Sequence, residues 1–188
     1  MKRIFIMTDG SAVAGKHSAY DAAASYVIVK DNKPIQQETI VLPDHTNNYA
    51  EMYAIYKGTK WCIENIKDLN RYDQILIITD SDLCHKSLTI WMKGWLKKAS
   101  DEKLYGSTGT EVKNQELIKS AYINTLLLSL QIKVFVCHIN SHKSESEIPK
   151  MYEKMNKQFE DLTYDEFVMI YDGNNYCDKS AREALNNI

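Results

Sequence analysis

Two uninterrupted apolar runs, Ile4-Phe5-Ile6-Met7 and Ile75-Leu76-Ile77-Ile78, each end on a threonine and an aspartate, Thr8-Asp9 and Thr79-Asp80. Short apolar runs bounded by polar residues read as strands, and a strand without a polar face is buried. Two further acids open helical patterns: Glu51 in Asn47-Asn48-Tyr49-Ala50-Glu51 and Asp178 in Asn175-Tyr176-Cys177-Asp178. Carboxylates at the ends of strands and in the first turns of helices face one another across a sheet. Like charges a few Å apart repel strongly, so such a cluster must protonate or hold hard cations.

The remaining pattern fills in a mixed sheet. Strands are expected at about 3–9, 23–31 and 34–42, the last two joined by the turn-prone Asp31-Asn32-Lys33-Pro34. A helix follows over about 48–66, with Asn47 as its cap and Ala50, Tyr53, Ala54, Trp61 and Ile66 recurring at helical spacing. Then come a buried strand at 75–79, helical turns over 82–98, and a polar loop at Gly106-Ser107-Thr108-Gly109. A helix over 114–130, a strand from Ile132 to Cys137 and a last helix from near Asn175 complete the chain. Strands first, then alternating helix and strand, give a mixed α/β fold.

The 188 residues suffice for one domain with a sizeable core. Cys62, Cys84, Cys137 and Cys177 lie far apart with no Cys-x-x-Cys pair, and read as reduced, buried thiols. The apolar stretch before Thr8 is too short for a signal-peptide core, and no run approaches the roughly 20 residues of a membrane helix. A cytoplasmic protein is expected. Net charge is −2, which argues against a simple nucleic-acid coat. Its distribution is uneven: residues 143–177 hold four lysines against eight carboxylates. Between Lys86 and Lys113, by contrast, Lys93, Lys97, Lys98 and Lys103 surround Trp91 and Trp95. Lysines interleaved with aromatics suit a polyanion backbone, while the plainer alternative is an amphipathic helix with its tryptophans turned to the core.

The order and spacing of Thr8-Asp9-Gly10-Ser11, Thr46-Asn47-Asn48-Tyr49-Ala50-Glu51, Thr79-Asp80-Ser81 and Tyr176-Cys177-Asp178-Lys179-Ser180-Ala181-Arg182-Glu183-Ala184 resemble the type 1 ribonuclease H family. The resemblance covers residues 1–142 and about 174–186. It implies a five-stranded mixed sheet with three antiparallel N-terminal strands and helices on both faces. It also implies a metal-binding tetrad of Asp9, Glu51, Asp80 and Asp178, with Asp9 shared by two magnesium ions and manganese a possible substitute. Magnesium prefers six oxygen ligands and retains waters, and two such ions about 3.5–4 Å apart serve phosphodiester hydrolysis. The implied reaction cuts the RNA strand of an RNA/DNA hybrid, leaving 5′-phosphate and 3′-hydroxyl ends. Asn140-Ser141-His142 matches the position of the family's mobile catalytic histidine, which makes His142 a candidate proton relay. His138, four residues earlier, reads as a packing residue within the strand.

The resemblance places Gly10, Ser11, Asn47 and Asn48 near the RNA. Thr46 and Asn114 correspond to a pocket for a DNA phosphate, Trp91 to the DNA-strand groove, and Lys97 and Lys98 to the basic segment beside it. Asn47 and its polar neighbours have a second reading as caps and turn formers. Two departures stand out. Asp44 occupies a position that is often arginine in the family, so the phosphate grip is expected to weaken or to borrow His45. Between His142 and Asp178 lie 35 residues, well beyond the family's usual spacing. The excess, 144–173, reads as one or two extra helices beside the site, serving as a lid, a partner surface or inert packing. With the first strand beginning near Lys2, no separate N-terminal hybrid-binding domain is expected, and the protein is read as a monomer. A resolvase, an exonuclease or a non-catalytic hybrid-binding module are the alternatives that the same fold allows.

Overall fold

The computed structural model describes residues 1–14, 20–141, 143–159 and 161–187. Among these, strands β1 (Arg3–Ala14), β2 (Tyr20–Lys30), β3 (Lys33–Leu42), β4 (Gln74–Thr79) and β5 (Lys133–His138) form one sheet in the order β3-β2-β1-β4-β5. β1 runs antiparallel to β2, β2 antiparallel to β3, and β1 parallel to β4 and β4 to β5. The expected mixed sheet with three antiparallel N-terminal strands is therefore present. β1 and β4 lie inside it and are covered on both faces, which explains why their sequences are apolar throughout.

Alternation along each strand divides the core into two layers. Ile4, Ile6, Ile75 and Ile77 face helices α1 (Asn47–Glu64) and α5 (Gln115–Ser129), packing with Met52, Ile55, Ile118, Ala121 and Leu128. Phe5, Met7, Leu76 and Ile78 face the other way, toward α6 (Ile148–Asn156) and α7 (Tyr164–Asn186), packing with Met155, Phe167, Ile170 and Cys177. A short helix α2 (Ile66–Leu69) follows α1. The segment after β4 is helical as expected: α3 (Asp82–Lys86), a π-helical turn Ser87–Trp91 and α4 (Met92–Lys97).

The last helix differs from the expectation. It begins at Tyr164, eleven residues before Asn175, so Asp178 lies within it and not in its first turn. Thr163 caps it reciprocally: the threonine hydroxyl accepts from the Glu166 amide, and the Glu166 carboxylate accepts from the Thr163 amide. Gly173-Asn174-Asn175, which resembles a break, is interior because the helix presses against β1 there. A Cβ on Gly173 would stand 2.5 Å from Met7 Cε, and the buried Asn174 amide donates to the Thr8 carbonyl at 3.0 Å. The segment 144–173 thus consists of a 3-10 turn (Glu145–Glu147), α6 and the first turns of α7. Arg3, 4% exposed, ties it to the sheet, donating to Gln74 Oε1 at 3.0 Å, to Glu166 at 3.3 Å and to Asp161.

Candidate active site

The parallel register sets Met7 beside Ile78, and two further steps bring Asp9 beside Asp80. Asp80 follows the end of β4, whereas Asp9 lies inside β1, which runs on to Ala14 instead of ending at residue 9 as expected because residues 10–14 go on pairing with β2. Thr8 reinforces the pairing by donating its hydroxyl to the Ile78 carbonyl at 2.9 Å. Glu51 arrives from α1, whose first turn crosses β1 at Gly10. A Cβ there would stand 2.7 Å from the Ala50 carbonyl carbon, so only glycine lets the helix come this close. Asp178 arrives from α7 on the opposite face of the sheet, two turns beyond Tyr171.

The four acids share one electrostatic field. Burial, then the charge of Asp80, push the Asp9 carboxyl up to about 8; Asp178 and Glu51 add to the rise, against a hydrogen bond from the Gly10 amide at 2.7 Å. Glu51 is also raised, chiefly by burial, with Asp80 contributing and hydrogen bonds from Ser81 and Asn47 opposing. A cluster that resists ionisation in this way is one that a cation would complete.

Each carboxylate has a protein partner. Glu51 Oε1 accepts from Asn47 Nδ2 at 2.8 Å, Asp80 Oδ2 accepts from the Ser141 hydroxyl, and Asp178 Oδ1 pairs with Arg182 Nε at 2.8 Å. The Asp80 carbonyl also meets His138 Nε2 at 3.0 Å. Among the described residues no three acidic, histidine or cysteine side chains stand close enough together to enclose an ion as they are. The donor chemistry nevertheless fits a hard cation. Asp9, Asp80 and Asp178 each keep one carboxylate oxygen with no hydrogen bond among the described residues, the oxygen donors that such a cation prefers.

Ser141 and Arg182 were not singled out for these contacts by sequence reasoning. Arg182 stands at the i+4 spacing from Asp178 that helical geometry rewards. Ser141 lay inside a motif noted for its histidine. That histidine, His142, lies outside the described residues.

The residues expected to hold substrate line one side of this cluster. Thr46 and not Asn47 caps α1, accepting from the Tyr49 amide at 3.4 Å, because Thr46 is the extended residue that precedes the helix; Asn47 is left to bind Glu51. Thr46, Asn48, Ser87, Trp91, Trp95, Lys113 and Asn114 line a groove of about 350 Å³. The Ser87 hydroxyl is buried there without a partner among the described residues. Asn114 takes a left-handed conformation (φ 56°) just before α5, tolerable for asparagine. Trp91 is 38% exposed, and its ring lies 5.7 Å from that of Trp95, which packs on the core. Lys98 and Trp91 continue into a second depression with Tyr105 and Gly106-Ser107-Thr108, while Lys97 is exposed beside it. Ser11 is half-buried in β1, paired with Ala23. His45 is engaged locally, with Nδ1 2.6 Å from the Pro43 carbonyl and its ring 3.9 Å from Tyr49.

A mixed five-stranded sheet with a carboxylate on β1, one just past β4 and one from a helix on each face defines a class of α/β proteins built around an acidic centre. The family model for RNase H matches residues 1–186, and the chain belongs to that family. Among known proteins, the ribonuclease H of Campylobacter jejuni (serotype O:23/36, strain 81-176) is 32% identical over 99 residues, covering 52% of this chain and 60% of the relative. The match therefore spans less than two thirds of that relative's length. The fold is similar to that of the foamy viral protease-reverse transcriptase solved in complex with an RNA/DNA hybrid, with TM-score 0.66 and 20% identity over 100% of this chain and 20% of that one. It is also similar to RNase H1 from Halobacterium salinarum NRC-1, with TM-score 0.54 and 16% identity over 99% of each chain. Among the described residues no helix is long and apolar enough to cross a membrane.

Proposed function

We propose that this chain is a divalent-metal-dependent endoribonuclease that cuts the RNA strand of RNA/DNA hybrids, leaving 5′-phosphate and 3′-hydroxyl ends. The observation that carries the reading is the convergence of Glu51, Asp80 and Asp178 on the buried Asp9, whose carboxyl is pushed up to about 8 by burial first and by these neighbouring acids with it. Asp9, Glu51, Asp80 and Asp178 would hold two magnesium ions, or manganese in their place. Bound there, the metal would supply a nucleophile at neutral pH and stabilise the leaving oxygen.

The chain's own residues do the rest. Asn47 orients Glu51, Ser141 orients Asp80, and Arg182 offsets the charge of Asp178 until a cation arrives. Gly10, Ser11, Asn47 and Asn48 would meet the RNA strand. The groove from Thr46 and Asn114 to Trp91 and Lys98 would take the DNA backbone, read through phosphate and sugar with little base contact. His142 is the candidate for moving a proton near neutral pH. One copy supplies all four carboxylates, so the reading is of a monomer, with residues 1–188 one catalytic unit and 144–173 inserted into it. Four free, buried cysteines suit a reducing compartment such as the cytoplasm.

The test is cleavage of matched RNA/DNA, RNA/RNA, DNA/DNA and Holliday-junction substrates with and without Mg²⁺ or Mn²⁺. Only the RNA strand of the hybrid should be cut, only with metal, and Asp9→Asn should lower the rate at least about a thousandfold while hybrid binding persists. Substantial metal-dependent cleavage by pure Asp9→Asn protein would refute the assignment.

A further inference from the structure

The segment 144–173 touches the site at one place. Beyond β5 the chain runs through Ile139, Asn140 and Ser141, where the Ser141 hydroxyl donates to Asp80, and on to Lys143 and Ser144. This stretch is held from behind by the inserted segment. Ile139 and Cys137 are buried against Met155 of α6 and Phe167 of α7. A small cavity of about 50 Å³ is lined by His138, Ile139 and Asn140 on one side and by Met151 and Lys154 of α6 and Gln158 just beyond it on the other. Lys143 pairs with Glu147 at 3.7 Å. The decisive contact comes from α7: the buried Tyr171 donates its hydroxyl to the Lys143 carbonyl at 2.8 Å.

We infer that the inserted segment is a positioning element for the acidic centre, with Tyr171 anchoring Lys143, two residues along the chain from Ser141, so that Ser141 can orient the Asp80 carboxylate. The inference rests on the reading of Asp80 as a metal ligand. Tyr171 is a positioning residue and touches neither substrate nor the reacting atoms. The chain of contact is short and made of directional bonds: tyrosine hydroxyl to loop carbonyl, loop serine to ligand carboxylate. A hydrogen bond to a ligating carboxylate sets its orientation, and losing such a partner lowers metal affinity about 10- to 100-fold. Tyr171 acts one bond further out, where loss of a single neutral hydrogen bond is felt as about two- to fivefold. α7 therefore serves the site twice, through Asp178 and, two turns earlier, through Tyr171. The extra residues would be a brace for the site and not a lid.

The experiment titrates Mn²⁺ into the full chain by calorimetry, without substrate. It compares wild type with Ser141→Ala, Tyr171→Phe, the double variant and two controls. Ser141→Ala should weaken Mn²⁺ binding about tenfold and Tyr171→Phe about two- to fivefold. The double variant should be no weaker than Ser141→Ala alone, because Tyr171 acts through Ser141. Hydrogen exchange of the 139–144 amides should speed up in Tyr171→Phe. Arg3→Ala, which loosens the same segment at its far end, should lower stability without changing Mn²⁺ affinity, and so separates positioning from general destabilisation.

Unchanged affinity in Tyr171→Phe, or a full additive loss in the double variant, would overturn the inference. Asp80→Asn distinguishes the two levels: if it binds Mn²⁺ like wild type, the metal-site reading fails. If it loses binding while Tyr171→Phe does not, only the brace fails. Should Tyr171→Phe not fold, the exchange rates of the 139–144 amides in wild type decide the matter, and unprotected amides there would overturn it.

Discussion

Helices α1 and α7 each bring one carboxylate to β1, from opposite faces of the sheet, and they do so by different means. α1 delivers Glu51 from just past its first turn, not within it as expected, because the helix already starts at Asn47 behind its cap Thr46; it comes close because the strand carries Gly10 at the crossing. α7 delivers Asp178 from its interior, and comes close because the helix itself carries Gly173 against Met7. In the first case the strand makes room for helix backbone; in the second the helix makes room for a strand side chain. Backbone cannot give way, whereas a methionine tip can. A short approach can thus be rigid on one face and adjustable on the other, with both acids still raising the Asp9 carboxyl.

The largest effect should be seen where the two helices' charges meet. The folded-state value for Asp9 is about 8, against 3.8 ordinarily, so the fold disfavours its ionised form. The sign follows: the cost is absent below pH 4, grows as pH rises toward 8 and is constant above it. Metal-free Asp9→Asn should therefore be more stable than wild type by several kcal/mol at pH 8.5 and by nearly nothing at pH 4. Urea unfolding at the two pH values with chelator measures this, and added Mg²⁺ should shrink the gap at pH 8.5. A gap independent of pH would mean that neither burial nor the neighbouring acids raise the Asp9 carboxyl.

The glycine pair gives the next largest effect and bears directly on the contrast. Gly10→Ala drives a methyl group into the Ala50–Glu51 backbone and should cost about 3 kcal/mol, with loss of metal binding as Glu51 is pushed away. Gly173→Ala meets the Met7 side chain and no backbone, at 2.5 Å from the flexible Cε and 3.1 Å from Cγ, and the roughly 1 kcal/mol gain from replacing a glycine inside a helix offsets the crowding. It should stay within about 1 kcal/mol of wild type and keep its metal affinity. Equal destabilisation of the two variants, by thermal or urea unfolding, would erase the distinction between the faces.

The same contrast governs what could be read from residues alone. The β1 and β4 acids were legible because a fully apolar run followed by Thr-Asp has few other uses, although β1 itself runs on past Asp9 to Ala14. Glu51 was legible because it follows a cap and a helical stripe. The start of α7 was obscured by Gly173-Asn174-Asn175, whose turn-like composition reflects close packing on β1 that no local pattern reveals. Yet Thr163-x-x-Glu166, a capping-box signature ahead of Phe167, stood in the sequence and marked the true start. Arg182 beside Asp178 follows from i+4 spacing once the helix is placed. Tyr171 does not, since its partner is a backbone carbonyl 28 residues away and any residue type could have supplied that carbonyl.

The smallest effect compares the two caps. Thr163 and Glu166 satisfy each other's backbone groups at 3.1 and 2.9 Å, whereas Thr46 offers α1 one long bond of 3.4 Å. A reciprocal cap removes two unsatisfied donors and a single long bond hardly removes one. Thr163→Ala should cost about 1–1.5 kcal/mol and Thr46→Ala about 0.5 kcal/mol, by urea unfolding. Their effects on function should run in the opposite order. Thr46 lines the groove proposed for the DNA backbone, so its loss should weaken hybrid binding several-fold, while Thr163→Ala leaves that affinity unchanged. The order follows from position: the cap of α7 serves its own helix and, through Glu166, the tie to Arg3, but the cap of α1 lines the proposed groove, where a hydroxyl bound weakly to its own helix can turn toward a phosphate.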